Sequence, residues 1–193
     1  MVLRAAPEYI NVPQFIGIAT DTLHLRPLSP AELLALREGD DQFTAESRLK
    51  PANGLRAMLV SDEVSPGWLE RLRTAVDRDP WQFGFVVLEK MTGVAVGAAG
   101  FKGPPDDDGV VEIAYGIAPA YAGHGYATQA ANGLVEFASK DDRVRRIRAH
   151  TLPERNASTS VLTKSGFELL GAVEDPEDGL VWRWERDPDE RFR

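Results

Sequence analysis

Val110-Val-Glu-Ile-Ala-Tyr-Gly-Ile-Ala-Pro-Ala-Tyr-Ala-Gly-His-Gly-Tyr-Ala-Thr128 reads as a strand, a glycine turn and the opening of a helix. Val110 to Ala118 is an apolar run of strand length, interrupted by Glu112 and closed by Pro119. Gly123 and Gly125 follow, and from Ala127 the residues Ala127, Ala131, Leu134 and Ala138 recur at helical spacing. A helix N-terminus presents unpaired backbone N–H groups and about half a positive charge, and glycines ahead of it remove side chains that would hold an anion away. The loop therefore reads either as a cradle for a pyrophosphate or as a plain turn. The third glycine and downstream acid of a dinucleotide fingerprint are missing, as is the Lys-Ser/Thr pair of a nucleoside-triphosphate loop.

Upstream, Phe83 to Leu88 and Val94 to Phe101, joined by a turn at Lys90 to Gly93, form a hairpin that continues into the Val110 strand as an antiparallel meander. Gly97 and Gly100 mark places where backbone or ligand comes close. Asp106, Asp107 and Asp108 lack the other ligands of a calcium loop and read as a solvated turn. Earlier still, Thr22 to Pro27 is a short strand, and Ser29 caps a helix that opens with Pro30 and stops at Gly39. A second helix begins near Pro66 and carries Trp68, Leu69, Leu72 and Val76 until Asp79 and Pro80 break it, whereas Gln42 to Val64 shows no clear pattern. Downstream, the strand Ile147 to Thr151 precedes a helix in Asn156 to Phe167. Strands at Phe167 to Gly171 and Leu180 to Glu185 follow, the last with Trp182 and Trp184 on one face.

The 193 residues, 43% hydrophobic and 27% charged, fit one globular domain (1–193), with a core over about 22–185, an N-terminal extension at 1–21 and a polar tail at 186–193. Zero cysteine excludes a thiol nucleophile, a disulfide framework and thiolate metal sites. The net charge of −8 argues against a nucleic-acid partner and suits a small cationic substrate, with solubility alone as the competing reading. Met1 to Pro7 has no apolar leader region, and no stretch approaches the ~18 apolar residues of a membrane helix, so no membrane partner is expected. Cytoplasm is the default compartment, and monomer and homodimer both stay open. His24, His124 and His150 lack paired ligand spacing, so no metal site is expected.

Glu112-Ile-Ala-Tyr-Gly-Ile-Ala-Pro, Gly123-His-Gly-Tyr-Ala-Thr and Asn156-Ala-Ser-Thr-Ser-Val-Leu-Thr-Lys-Ser-Gly-Phe, in this order and spacing, resemble the GCN5-related N-acetyltransferases (GNAT), in particular the RimJ/RimL-like branch of ribosomal-protein N-terminal acetyltransferases. The resemblance spans about Thr22 to Glu185 and is weaker before Trp81. It implies an α/β (α+β) fold with a mixed, mostly antiparallel central sheet flanked by helices. That sheet would be splayed where the strand ending near Ala118 parts from the strand at Ile147, with acetyl-CoA as cosubstrate in the gap. By the same resemblance the pyrophosphate falls on Gly123, His124, Gly125, Tyr126, Ala127 and Thr128, and the pantetheine arm on the backbone of Ile117 and Ala118. Asn156 and Ser158 fall at the thioester end. Ala122 stands where the family usually has Arg or Gln, and Arg155 where it usually has Asn.

Acetylation of an amine needs a base, because a primary amine with a pKa near ~10 arrives as an ammonium ion without a lone pair. Glu112 is the candidate: a carboxylate in an apolar strand must face a cleft or have a partner, and burial would tune it upward, although a structural Glu satisfied by hydrogen bonds is the competing reading. A backbone N–H near Ile117 is the candidate oxyanion donor. The resemblance implies Ser158 as proton donor, against a helix cap as the alternative, and it offers no Tyr acid, since Leu162 occupies that position. Arg143, Arg145, Arg146 and Arg148 read as a solvated strand edge, one of which could meet the ribose phosphate. Trp68, Leu69, Tyr115, Trp182 and Trp184 read as core, whereas the resemblance implies that Trp68 and Tyr115 help wall the acceptor pocket. The expected activity is transfer of acetyl to a primary amine by direct attack in a ternary complex. A binding-only CoA sensor and a module for some other phosphate are the alternatives.

Overall fold

Ser29 starts the first helix through a reciprocal cap: its hydroxyl accepts from the Glu32 N–H, and the Glu32 carboxylate accepts from the Ser29 N–H. The helix that results, α1, runs over Pro30–Glu38 in the computed structural model, which describes residues 17–59, 66–176 and 178–189. It is followed by α2 (Asp40–Ser47), α3 (Leu55–Leu59), α4 (Pro66–Thr74) and α5 (Pro80–Phe83). The last of these begins where the sequence suggested a break. Asp79 accepts from the Trp81 N–H and so caps one further turn. The N-terminal extension up to residue 16 and the tail beyond 189 lie outside the described residues.

The described strands are β1 (Ile18–Ala19), β2 (Leu23–Pro27), β3 (Phe85–Glu89), β4 (Ala95–Phe101), β5 (Val110–Ile117), β6 (Arg146–Thr151), β7 (Glu168–Asp175) and β8 (Gly179–Arg186). They form one sheet in the order β1-β2-β3-β4-β5-β6-β8-β7, in which every pair is antiparallel except β5 with β6. The parallel pair follows from the connection: α6 (Tyr126–Ser139) carries the chain back across one face before β6 begins. The helix α7 (Ala157–Lys164) then links β6 to the β7–β8 hairpin.

Strand alternation divides the core between the two faces. Phe85, Val87, Ala99, Phe101, Val111 and Ile113 pack on one side with Ala130, Ala131, Leu134 and Ala138 of α6. Val86 and Ala95 pack on the other with Leu36, Phe43 and Leu55 from the early helices. Gly97 is required by the close approach of β4 and β5, because a Cβ there would collide with the Gly116 carbonyl oxygen. No helix among the described residues is long and apolar enough to cross a membrane.

Candidate active site

The pairing of β5 with β6 covers Val110 with Arg146, Val111 with Ile147 and Glu112 with Arg148, and then ends although both strands continue. The sheet is therefore open from Ile113 onward. Lys102 N–H donates to the Glu112 carbonyl at 2.9 Å and Ala118 N–H to the Val96 carbonyl at 2.8 Å. Even-numbered β5 backbone groups thus point at β4, and by strand alternation those of Tyr115 and Ile117 face the gap. The Ala118 N–H is taken by the Val96 carbonyl, and the Ala118 carbonyl accepts from the Tyr121 N–H at 2.8 Å, so its amide hydrogen is already engaged within the protein.

Past a 3₁₀ turn at Pro119–Tyr121, Gly123 and Gly125 adopt φ of +82° and +76°, in the left-handed region that glycine occupies without strain. Gly125 is the N-cap of α6 and supplies no side-chain cap; the first helical amide paired within the helix is that of Gln129, which donates to the Gly125 carbonyl at 3.1 Å. The N–H groups of Tyr126, Ala127 and Thr128 are left without an intrahelical acceptor. They border a cavity of about 420 Å³ whose other walls include Ile117, Ser158, Val161 and Lys164. No atom lies within 4 Å of a Cβ built on either glycine, so the space before these amides is open. Uncapped amides at the N-terminus of a 14-residue helix, opening onto a cavity, fit a diphosphate.

Among the loop side chains, that of His124 turns away from this cavity: its Nδ1 lies 3.2 Å and 3.0 Å from the carbonyl oxygens of Tyr121 and Ala122, so it donates to the loop's own backbone. Tyr126 is buried and its hydroxyl donates to Glu89 at 2.7 Å, leaving only its N–H for a ligand.

Glu112 has both a partner and a cleft. Its Oε1 lies 2.9 Å from Lys102 Nζ and 3.2 Å from His150 Nδ1, and Lys102 reaches Asp178 at 3.5 Å. Burial works against the Lys102 ammonium, but the hydrogen bond and charge of Glu112, with Asp178 and Asp175 behind it, hold its pKa above the usual lysine value. Arg183 Nε donates to His150 Nε2 at 3.3 Å. The His150 Nδ1 is buried and, although close to Glu112, is not aligned for a hydrogen bond. Glu112, His150, Tyr115 and Ser158 line a small cavity of about 190 Å³ that shares Tyr115 and Ser158 with the larger one. Sequence reasoning missed Lys102, His150, Asp175 and Asp178, since they come together from β4, β6 and the β7–β8 turn with no spacing to link them. Among the described residues no group of acids and histidines is arranged to hold a metal ion.

Ser158 is not the helix cap. Asn156 is, its side-chain oxygen accepting from the Thr159 N–H while the Thr159 hydroxyl accepts from the Asn156 N–H, both at 3.1 Å. The Asn156 side-chain oxygen is thereby committed to the helix cap, and Asn156 is not among the residues lining the larger cavity. Tyr115 hydroxyl donates to the Ser158 carbonyl at 3.4 Å, and burial pushes that phenol's pKa up. Leu162 is fully buried in the core, and Trp184, whose indole N–H donates to the Thr151 hydroxyl, is core as well, with half-buried Trp182 packed against it. The Trp68 side chain lies outside the described residues. The arginine-rich strand is an interior strand, not an edge: β6 lies between β5 and β8, Arg148 pairs with Glu185 at 2.7 Å, and Arg146 with Asp187 at 2.9 Å.

A family model described as "Acetyltransferase (GNAT) domain" matches residues 22–168. The chain belongs to the GNAT acetyltransferase family. Uncharacterized N-acetyltransferase YjdG of Bacillus subtilis is 32% identical to this GNAT chain over 91 residues, which are 47% of this chain and 52% of the relative. The chain thus spans about half the length of the curated relatives it matches. Among solved structures, the ribosomal-protein-S5-alanine acetyltransferase of Vibrio fischeri superposes with a TM-score of 0.63 at 17% identity, covering 91% of this chain and 98% of its own. The ribosomal alpha-N-protein acetyltransferase RimL, solved in complex with coenzyme A, superposes with a TM-score of 0.59 at 19% identity, covering 88% and 96%. Both share the GNAT fold described above.

Proposed function

We propose that this chain transfers acetyl from acetyl-CoA to a primary amine, by direct attack within a ternary complex. The observation that carries this reading is that the uncapped α6 amides and the Glu112 carboxylate border two cavities that meet at Tyr115 and Ser158, where the sheet parts. Acetyl-CoA supplies an activated thioester. The amides of Tyr126, Ala127 and Thr128 bind its diphosphate, with the Lys164 ammonium on the opposite wall, and the Ile117 backbone pairs with the pantetheine arm. Glu112 takes the proton from the arriving ammonium, directly or through water. Backbone N–H groups facing the gap at Tyr115 and Ile117 stabilise negative charge on the carbonyl oxygen. The Ser158 hydroxyl, which has no hydrogen-bond partner among the described residues, hydrogen-bonds the departing sulfur, and the second proton, shed by the nitrogen as the tetrahedral intermediate collapses, ends on that thiolate. The family match, the named N-acetyltransferase relative and the coenzyme A complex of RimL support this reading; nothing favours a binding-only sensor.

Titration calorimetry tests the first step: acetyl-CoA should bind saturably and be displaced by free CoA but not by inorganic phosphate or NAD. Absence of binding would end the reading. Labelled acetyl-CoA incubated with an amine panel should then give acetylated amine without a labelled protein intermediate. Gly125→Val should weaken acetyl-CoA binding about tenfold, because a branched residue held at this positive φ costs roughly 1–2 kcal/mol and would pull the α6 amides out of position. Unchanged affinity in a folded variant would separate these amides from the cofactor.

A further inference from the structure

On the sheet face opposite α6, β4 and β5 present small residues in register: Ala98 pairs with Gly116 and Gly100 with Ala114. Over this floor lies a cavity of about 380 Å³, with Leu33 of α1, Met58 and Leu59 of α3 and Phe83 of α5 among its walls. Gln82 is the one amide side chain lining it, the Tyr115 hydroxyl is bonded to the Ser158 carbonyl, and no described lining residue is charged. The next pair along the same ladder, beyond Gly100 and Ala114, is Lys102 with Glu112. The apolar floor therefore runs toward the Lys102–Glu112 pair beside the gap. A second observation marks that end. His150 is 7% exposed and its buried Nδ1, beside Glu112, makes no hydrogen bond. Ala114 and Tyr115 line both this cavity and the Glu112 cavity, so the two adjoin along β5.

We propose that the acceptor is a primary amine on an uncharged, apolar body, with the ammonium at Glu112 and the body lying over Ala114, Gly100, Ala98 and Gly116. This rests on the acetyl-transfer reading and specifies its substrate class. From Glu112 to Gly116 the strand advances roughly 13–14 Å at about 3.4 Å per residue, which sets the length of body the floor accommodates. An acceptor with its charge confined to one end gains by burying its apolar part here. One with a second ammonium would have to desolvate it against leucine, methionine and phenylalanine, with no carboxylate among the described lining residues. The overall charge of −8 suits an ammonium at the head, and this cavity limits the positive charge to that head.

Hexylamine and 1,6-diaminohexane separate the possibilities, since they share chain length and the reacting amine and differ in the second charge. Calorimetry on the CoA-loaded protein should show hexylamine binding about 10²-fold more tightly than the diamine, the scale of a buried unpaired charge. Equal affinities, tighter binding of the diamine, or no saturable heat with hexylamine would overturn the proposal. Turnover with labelled acetyl-CoA is a separate readout: tight hexylamine binding without product would defeat acetyl transfer while leaving the cavity assignment standing. Ala114→Leu, which fills the floor at a position outside the diphosphate-side cavity, should raise the hexylamine dissociation constant at least about tenfold with acetyl-CoA affinity unchanged. Leu33→Glu, which places a carboxylate in the wall, should shrink the preference for hexylamine over the diamine by about tenfold or more. A preference unmoved by Leu33→Glu counts against this cavity as the site of the body, whatever the outcome at Ala114.

Discussion

Glu112→Gln should lower kcat for amine acetylation by about 10²- to 10³-fold, the span of a general base, with acetyl-CoA affinity within about twofold of wild type. The substitution keeps the shape of the side chain and removes its ability to hold a proton. It also removes the charge that faces Lys102 at 2.9 Å and His150 at 3.2 Å, so a fall in kcat alone would not separate chemistry from local rearrangement. The pH profile does. Without a base, the nucleophile is supplied only by amine already deprotonated in solution, a fraction that rises about tenfold per pH unit below an amine pKa near ~10. The variant's kcat/KM should climb steeply between pH 7 and 10 and approach wild type at the top of that range. A variant that turns over normally at pH 7 would remove Glu112 from the base role. One that stays equally impaired at every pH would assign it to holding Lys102 and His150 in place.

The part of the molecule legible in the sequence is the part whose information is local. The meander, the turn at Gly123 and Gly125 and the first turns of α6 each follow from periodicity or backbone freedom within about ten residues, and they appear where expected. α2 was missed because its residues show no apolar stripe: Phe43 is its one buried residue, and it is held by packing against Leu36, Leu55 and Val86 rather than by its own pattern. The same limit explains the site. Glu112 stood out as a single charge in an apolar strand. Lys102, His150, Asp175 and Asp178 reach it only because β4, β6 and the β7–β8 turn converge, and ladder pairing of that kind is invisible in a linear reading. Ala118 and Asn156 show the same limit. Each residue type and position suited a ligand contact, but the backbone groups of the first and the side-chain oxygen of the second already complete the protein's own hydrogen bonds.

Away from the site, Glu32→Ala should destabilise the fold by about 3 kcal/mol or more, the lower part of the range for breaking a buried ion pair. The Glu32 side chain is 3% exposed and bonds Arg26 at 2.8 Å, Arg78 at 2.7 Å and the Ser29 N–H at 2.9 Å, so it ties β2, the segment after α4 and the α1 cap together. Its loss removes the carboxylate half of the reciprocal cap and leaves Arg26 worse off than it is now. Two of that guanidinium's nitrogens are already buried without a hydrogen bond, and its one described ion pair is to Glu32. Arg78 is half-exposed and water screens its share, which keeps the expectation near the lower bound. Burial opposes ionisation of Glu32, but hydrogen bonds from Arg78, Ser29 and Arg26 outweigh it and hold the carboxyl below its ordinary value of 4.5. A depressed folded pKa contributes stability that is fully present above 4.5 and is lost as pH falls through the folded value. Urea unfolding of wild type should therefore weaken between pH 5 and pH 3 more than that of the variant, whose curve lacks this contribution. A variant within about 1 kcal/mol of wild type at pH 7, or one with the same acid-side slope, would show that the triad fixes the position of α1 without stabilising it.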